Sequence, residues 1–86
     1  MEEQLRVILE EEFPGSEVDV DPRPGGKVGG FLIWKDFEQM EQIDRQHKIW
    51  EVLKKRLSPE QLLSITAIFA LTPVEQEEMT EDQEVA

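Results

Sequence analysis

The stretch RQHKIWEVLKKRLSPEQLLSITAIFAL, residues 45–71, decides the fold. Its first half has helical periodicity. At about 100° per residue, Ile49, Trp50, Leu53 and Leu57 fall on one side of a helix, while Arg45, Lys48, Lys55 and Arg56 gather on the other. The spacing predicts a helix over residues 43–57. Ser58-Pro59-Glu60-Gln61 then supplies an N-cap serine, a proline at the first helical position and a glutamine at the capping-box position, which predicts a short helical turn. The pattern next changes to alternation. Leu63, Ile65, Ala67, Phe69 and Leu71 take one face of a strand, expected to be the core face, with Leu62, Ser64, Thr66, Ile68 and Ala70 on the other.

Upstream of this stretch, residues 28–34 form an apolar run, interrupted by Gly29-Gly30, that suits a central strand. Before it, Val18 and Val20 alternate with Glu17, Asp19 and Asp21, so residues 16–21 read as a half-buried strand at a sheet edge. Pro22-Arg23-Pro24-Gly25-Gly26 joins the two as a hairpin. Leu5, Ile8, Leu9 and Phe13 mark an amphipathic first helix that Pro14-Gly15 stops. Residues 35–44 are polar and irregular, with Phe37, Met40 and Ile43 expected to tack them onto the core.

About 27 residues, helix included, separate the second and third strands, which is the length of a crossover rather than a hairpin and makes those strands parallel. With the right-handed crossover rule, the result is an α+β fold: a three-stranded mixed sheet with helices on one face, in the order α-β-β-α-α-β. Residues 1–73 form this single domain. Residues 74–86 are acidic, lack periodicity and are expected to be a disordered tail.

The chain has 86 residues, 38% of them hydrophobic and 7% aromatic, and so has room for one core but not for a deep, enclosed substrate cavity. It has no cysteine, which excludes disulfides, thiolate metal ligands and a cysteine nucleophile. The N-terminal residues lack a signal-peptide pattern, and no segment approaches the roughly 18 apolar residues of a membrane span, so the expectation is a cytoplasmic protein without a membrane partner. The net charge is -11, but it is unevenly spread: residues 1–12 carry -4, residues 75–86 carry -6, and residues 45–56 carry +4. Local fields, screened beyond about 10 Å, steer encounters more than total charge does. The basic helix is thus a candidate surface, and the acidic ends are placed to mask it.

Particular residues accompany this order of elements. They are Phe13-Pro14-Gly15 followed by Val18 and Val20, then Phe37-Glu38, then Ile49-Trp50-Glu51-Val52-Leu53. Leu62-Leu63-Ser64-Ile65 and Leu71-Thr72-Pro73-Val74-Glu75 complete the set. Together they resemble the BolA-like family, a variant of the type II KH arrangement, over roughly residues 3–76. The resemblance implies a KH-like α-β-β-α-α-β fold and partnership with a monothiol glutaredoxin, often around a shared 2Fe-2S cluster in iron-sulfur or redox regulation. For some members it implies nucleic-acid binding and transcriptional control. It also implies a histidine in the long helix, within an arginine-histidine-arginine stretch, and another at the start of the last strand. Those positions hold Gln46, with His47 one residue later, and Gln61. The first hairpin loop of the family often supplies a cysteine or histidine; here residues 22–27 offer Arg23 and Lys27.

His47 is therefore the one imidazole that could serve as a ligand, contributing singly to a cluster whose cysteine a partner supplies; the alternative is a solvated surface histidine near Glu51 and Lys54. Gly26 to Gly29 spells the Gly-x-x-Gly of a KH backbone clamp, but it lies in the hairpin rather than between the two helices, so a glycine-dependent turn accounts for it. The candidate partner-binding set is Arg45, His47, Lys48, Lys54, Lys55 and Arg56, with Arg23 and Lys27 from the adjoining loop. Trp34 and Trp50 are core residues or, if exposed, interface anchors. One histidine builds no serine-histidine-acid arrangement, which points to a non-enzymatic interaction module. The expected partner is a monothiol glutaredoxin or another acidic-surfaced protein. The alternative is a nucleic-acid-binding transcriptional regulator that uses the helix of residues 45–56 against phosphates.

Overall fold

The helical spacing of Leu5, Ile8 and Leu9 buries all three on one face of α1 (Glu2–Glu12), and Phe13 follows them into the core as the helix ends. The computed structural model describes residues 1–78. Beyond α1 come β1 (Glu17–Arg23), β2 (Lys27–Ile33), a 3-10 turn (Lys35–Gln39), α2 (Gln42–Arg56), α3 (Pro59–Leu62) and β3 (Ile65–Leu71). The strands lie in the order β1-β2-β3, with β1 and β2 antiparallel and β2 and β3 parallel. The crossover through α2 and α3 is therefore as expected, and so is the α-β-β-α-α-β order.

β1 runs two residues beyond the expected boundary, through Pro22 and Arg23. A proline is tolerated there because β1 is an edge strand whose outer side needs no ladder hydrogen bond. The reversal is Pro24-Gly25-Gly26, where Gly25 and Gly26 adopt φ of +80° and +75°, a conformation that side chains disfavour. Ser58 caps α3 as its sequence predicts. Its hydroxyl accepts a hydrogen bond from the Gln61 backbone N–H at 3.2 Å, and its own N–H donates to Gln61 Oε1 at 2.9 Å.

One core lies between the helices and a single face of the sheet. Leu5, Ile8, Leu9 and Phe13 meet Ile49, Leu53 and Leu57 above Val20, Val28, Leu32, Ile68 and Ala70, with Phe37 closing one end. Both tryptophans pack against this cluster, half-buried. Trp34 stands edge-on to Phe13 and Phe37, with ring centroids 5.1 and 5.2 Å away, and its Nε1 donates to the Pro14 carbonyl. Trp50 Nε1 donates to Gln46 Oε1.

Three expectations are corrected. First, the face of β3 turned to the helices is Ile68 and Ala70, not Phe69 and Leu71, and Leu63 is 74% exposed. The register moves from Val28↔Ile65 to Gly30↔Ile68, three steps along β3 for two along β2. This bulge at Thr66 and Ala67 reverses the alternation, so that Ile65, Ile68 and Ala70 are all buried. Second, Ile43 does not reach the core but is 64% exposed on the first turn of α2.

Third, residues 73–78 are helical, so the disordered tail expected from residue 74 is corrected over its first part. The reason is local. Thr72-Pro73-Val74-Glu75 repeats the pattern of Ser58-Pro59-Glu60-Gln61, with Thr72 N donating to Glu75 Oε1 at 2.8 Å and Glu75 N donating to Thr72 Oγ1 at 3.2 Å. The rest of that expectation, for residues 79–86, lies outside the described residues.

Candidate functional site

α2 rests on the sheet through Ile49 and Leu53, both fully buried, and this packing fixes which side chains it presents. Arg45 lies four residues before Ile49 and shares its buried side, so it does not belong to the expected outward basic set. Arg45 is 5% exposed. Its Nε donates to the Met40 carbonyl at 3.0 Å, and its Nη1 donates to the Ala70 carbonyl at 3.1 Å and to Glu75 Oε1 at 2.7 Å. The guanidinium also lies 5.6 Å from the centre of the Phe37 ring. Burial of an arginine is tolerable only with such partners. Its charge thus fastens the C-terminal helical turn to α2. The hydrogen bond from Arg45, with a further one from the Thr72 backbone, holds the Glu75 carboxyl below the ordinary carboxylate range.

Arg56 is also engaged. Its Nη2 and Nη1 reach Glu11 and Glu12 of α1 at 2.7 and 2.8 Å, and these hydrogen bonds raise its pKa further. Glu11, Glu12 and Glu75 therefore meet the basic helix, through its two arginines. The cations left on the outer arc of α2 are Lys48, Lys54 and Lys55, beside His47, all exposed. Lys55 is 3.7 Å from Glu51; Lys48, Lys54 and His47 have no ion-pair partner among the described residues. In the adjoining loop, Lys27 Nζ donates to the Leu63 carbonyl, tying the β1–β2 turn to the start of β3. Arg23 lies 3.9 Å from Asp21.

The two glutamines at the histidine positions of the resemblance have structural work. Gln46 Nε2 donates to the Ile68 carbonyl at 2.8 Å, and Gln42 Nε2 to the Ala70 carbonyl at 3.1 Å. With Arg45, they satisfy the outer carbonyls of edge strand β3, the groups through which a bare edge recruits another chain. Gln61 serves the α3 cap, and its Nε2 donates to Gln4 on α1. An amide is a poor substitute for imidazole or thiolate as an iron ligand, and no group of three or more histidine, cysteine or acidic side chains is arranged around a metal among the described residues. The donor set does not fit a cluster held through positions 46 and 61.

Sequence reasoning missed the Glu75 latch and the glutamine cover of the β3 edge. The first carried a signal, the Thr-x-x-Glu capping pattern; the second carried none, since it depends on where the crossover returns. Among the described residues, no helix is long and apolar enough to cross a membrane.

No protein-family model matches the chain, and no curated protein matches it by sequence. Among solved structures, it is similar to a crystal structure described as that of a Bol-like protein from Babesia bovis, with a TM-score of 0.66, 19% sequence identity and 93% of each chain covered. At that identity the likeness is one of fold.

Proposed function

We propose that this chain is a non-enzymatic, BolA-like interaction module that docks an acidic protein surface, of the kind a monothiol glutaredoxin would offer, in a cytoplasm-like compartment. The observation that carries this reading is the outer arc of α2. Lys48, Lys54 and Lys55 stand exposed beside His47 on a helix held rigidly by Ile49 and Leu53, in a chain whose two ends are acidic. Preorganised charge of this kind steers encounter and sets specificity.

The partnership proceeds without a cluster ligand from positions 46 and 61, whose amides are committed to Ile68, Ser58 and Gln4. His47 is left as the one imidazole able to approach an iron held by a partner. The nucleic-acid reading is weaker, because Arg45 and Arg56 already pair with Glu75, Glu11 and Glu12 and leave three lysines to meet phosphates.

The test is co-purification with a monothiol glutaredoxin in the presence of iron and sulfide, comparing wild type with His47→Ala by visible absorption. A complex whose colour is indifferent to His47→Ala supports the reading. Colour that vanishes with His47→Ala makes His47 a ligand, so that the docking then includes a cluster shared through that imidazole. Absence of any complex moves weight to nucleic acid.

A further inference from the structure

The core lies between the helices and one face of the sheet, and among the described residues the other face holds no member of it. On the open side Phe31 and Phe69 are register partners on β2 and β3, with ring centroids 5.3 Å apart and planes tilted by 30°. Neither belongs to the core cluster, and Phe69 is 52% exposed. The β3 bulge produces this: by reversing the alternation it turns Phe69 and Leu71 away from the helices. Flanking the aromatic pair, β1 places Glu17, Asp19 and Asp21 on the same face, because Glu17 pairs with Ile33, Asp19 with Phe31 and Asp21 with Gly29. All three acids are exposed; Arg23 lies 3.9 Å from Asp21 at one end of the row, and Glu17 and Asp19 have no ion-pair partner among the described residues.

We infer that this open face is a second docking surface, whose occupant is a basic amphipathic protein segment that lays aliphatic or aromatic side chains over Phe31 and Phe69 and sets lysines or arginines against Glu17, Asp19 and Asp21. An exposed Phe69 beside a half-buried Phe31 outside the core marks an interaction site, and charge decides what fills it. The chain's own last eight residues carry Glu81, Asp82 and Glu84 and no base, so they match the acid row in sign and are repelled by it. In a two-fold pairing a second copy sets its own Glu17, Asp19 and Asp21 against this face, acid against acid. A cationic partner gains where both of these lose. The module would then hold an acidic partner on α2 and a basic one on the opposite side.

The test uses the full chain, isotopically labelled and titrated by NMR with a synthetic amphipathic leucine-lysine peptide, with a leucine-glutamate peptide of the same spacing as control. The expected shifts centre on Asp19, Phe31 and Phe69, with no response to the control. Phe69→Thr, a strand-compatible change at an exposed position, should weaken binding by about tenfold or more while spectral dispersion is kept. Asp19→Lys/Asp21→Lys should weaken it similarly and flatten its salt dependence. Lys48→Glu/Lys54→Glu/Lys55→Glu should leave it intact, which separates this surface from the one on α2. Binding unchanged by Phe69→Thr, with shifts on α1 or residues 73–78, would reduce it to charge attraction and overturn the inference. Concentration-dependent dimerisation abolished by Phe69→Thr would overturn it in favour of a second copy.

Discussion

Arg45 Nη1 lies 2.7 Å from Glu75 Oε1, joining two residues thirty positions apart in sequence and closing the C-terminal helical turn onto the long helix. The arginine is buried while the Glu75 side chain keeps 41% of its surface exposed, so the two halves of the pair differ in what their loss costs. Arg45→Ala removes hydrogen bonds to two carbonyls and a carboxylate and should cost about 2 to 3 kcal/mol. Glu75→Gln keeps an acceptor that water can supplement and should cost about 1 kcal/mol. Urea denaturation of the two variants measures the order.

The same pair makes stability depend on pH. The Glu75 pKa is depressed in the folded state, chiefly by Arg45, so between its folded and unfolded values the unfolded chain binds the proton that the native chain refuses. Its contribution is therefore present above the ordinary carboxylate range and is lost as pH falls through the depressed value. Urea midpoints across acid pH should fall more steeply for wild type than for Glu75→Gln; parallel curves would remove this role.

Much of this was legible in the sequence, and the failures have physical causes. The 3.6-residue period located α2, and the length of the crossover made β3 parallel. Arg45 reads as an outward cation because its charge outweighs its position, although Arg45, Ile49 and Leu53 recur at four-residue spacing on one side of the helix. The partner that makes its burial tolerable, Glu75, is remote in sequence. The β3 faces were reversed because a bulge inserts one residue that simple alternation does not announce. The acidic composition after Pro73 hid a proline-led capping box.

Two phenylalanines should separate the core from the open face of the sheet. Phe37 is fully buried, and Phe37→Ala should cost about 3 to 5 kcal/mol. Phe69→Thr, on the open face, should cost under about 1.5 kcal/mol. Thermal unfolding of both variants checks this, and equal losses would mean that the Phe31–Phe69 pair is part of the core.

Gly30 is the register partner of Val20 on β1, and a Cβ there would land on the Asp19 carbonyl oxygen and press on the Val20 Cα. Gly30→Ala should break the β1–β2 register and cost about 3 kcal/mol or more. Gly25→Ala meets no atom and opposes only the positive φ, so it should cost about 1 kcal/mol. Chemical denaturation distinguishes them.

Removing the cover of the β3 edge should show as association rather than as unfolding. Gln46→Ala frees the Ile68 carbonyl at a cost of about 1 kcal/mol, and Gln42→Ala/Gln46→Ala should aggregate faster on mild heating. Light scattering during a slow temperature ramp records it.

The most direct measurement is a calorimetric titration of the full chain with a monothiol glutaredoxin, repeated with Lys48→Glu/Lys54→Glu/Lys55→Glu. The expected result is binding that weakens as salt is raised and is lost in the triple variant, while circular dichroism stays unchanged. A triple variant that binds as tightly as wild type would contradict the assignment of the outer arc of α2 as the docking surface.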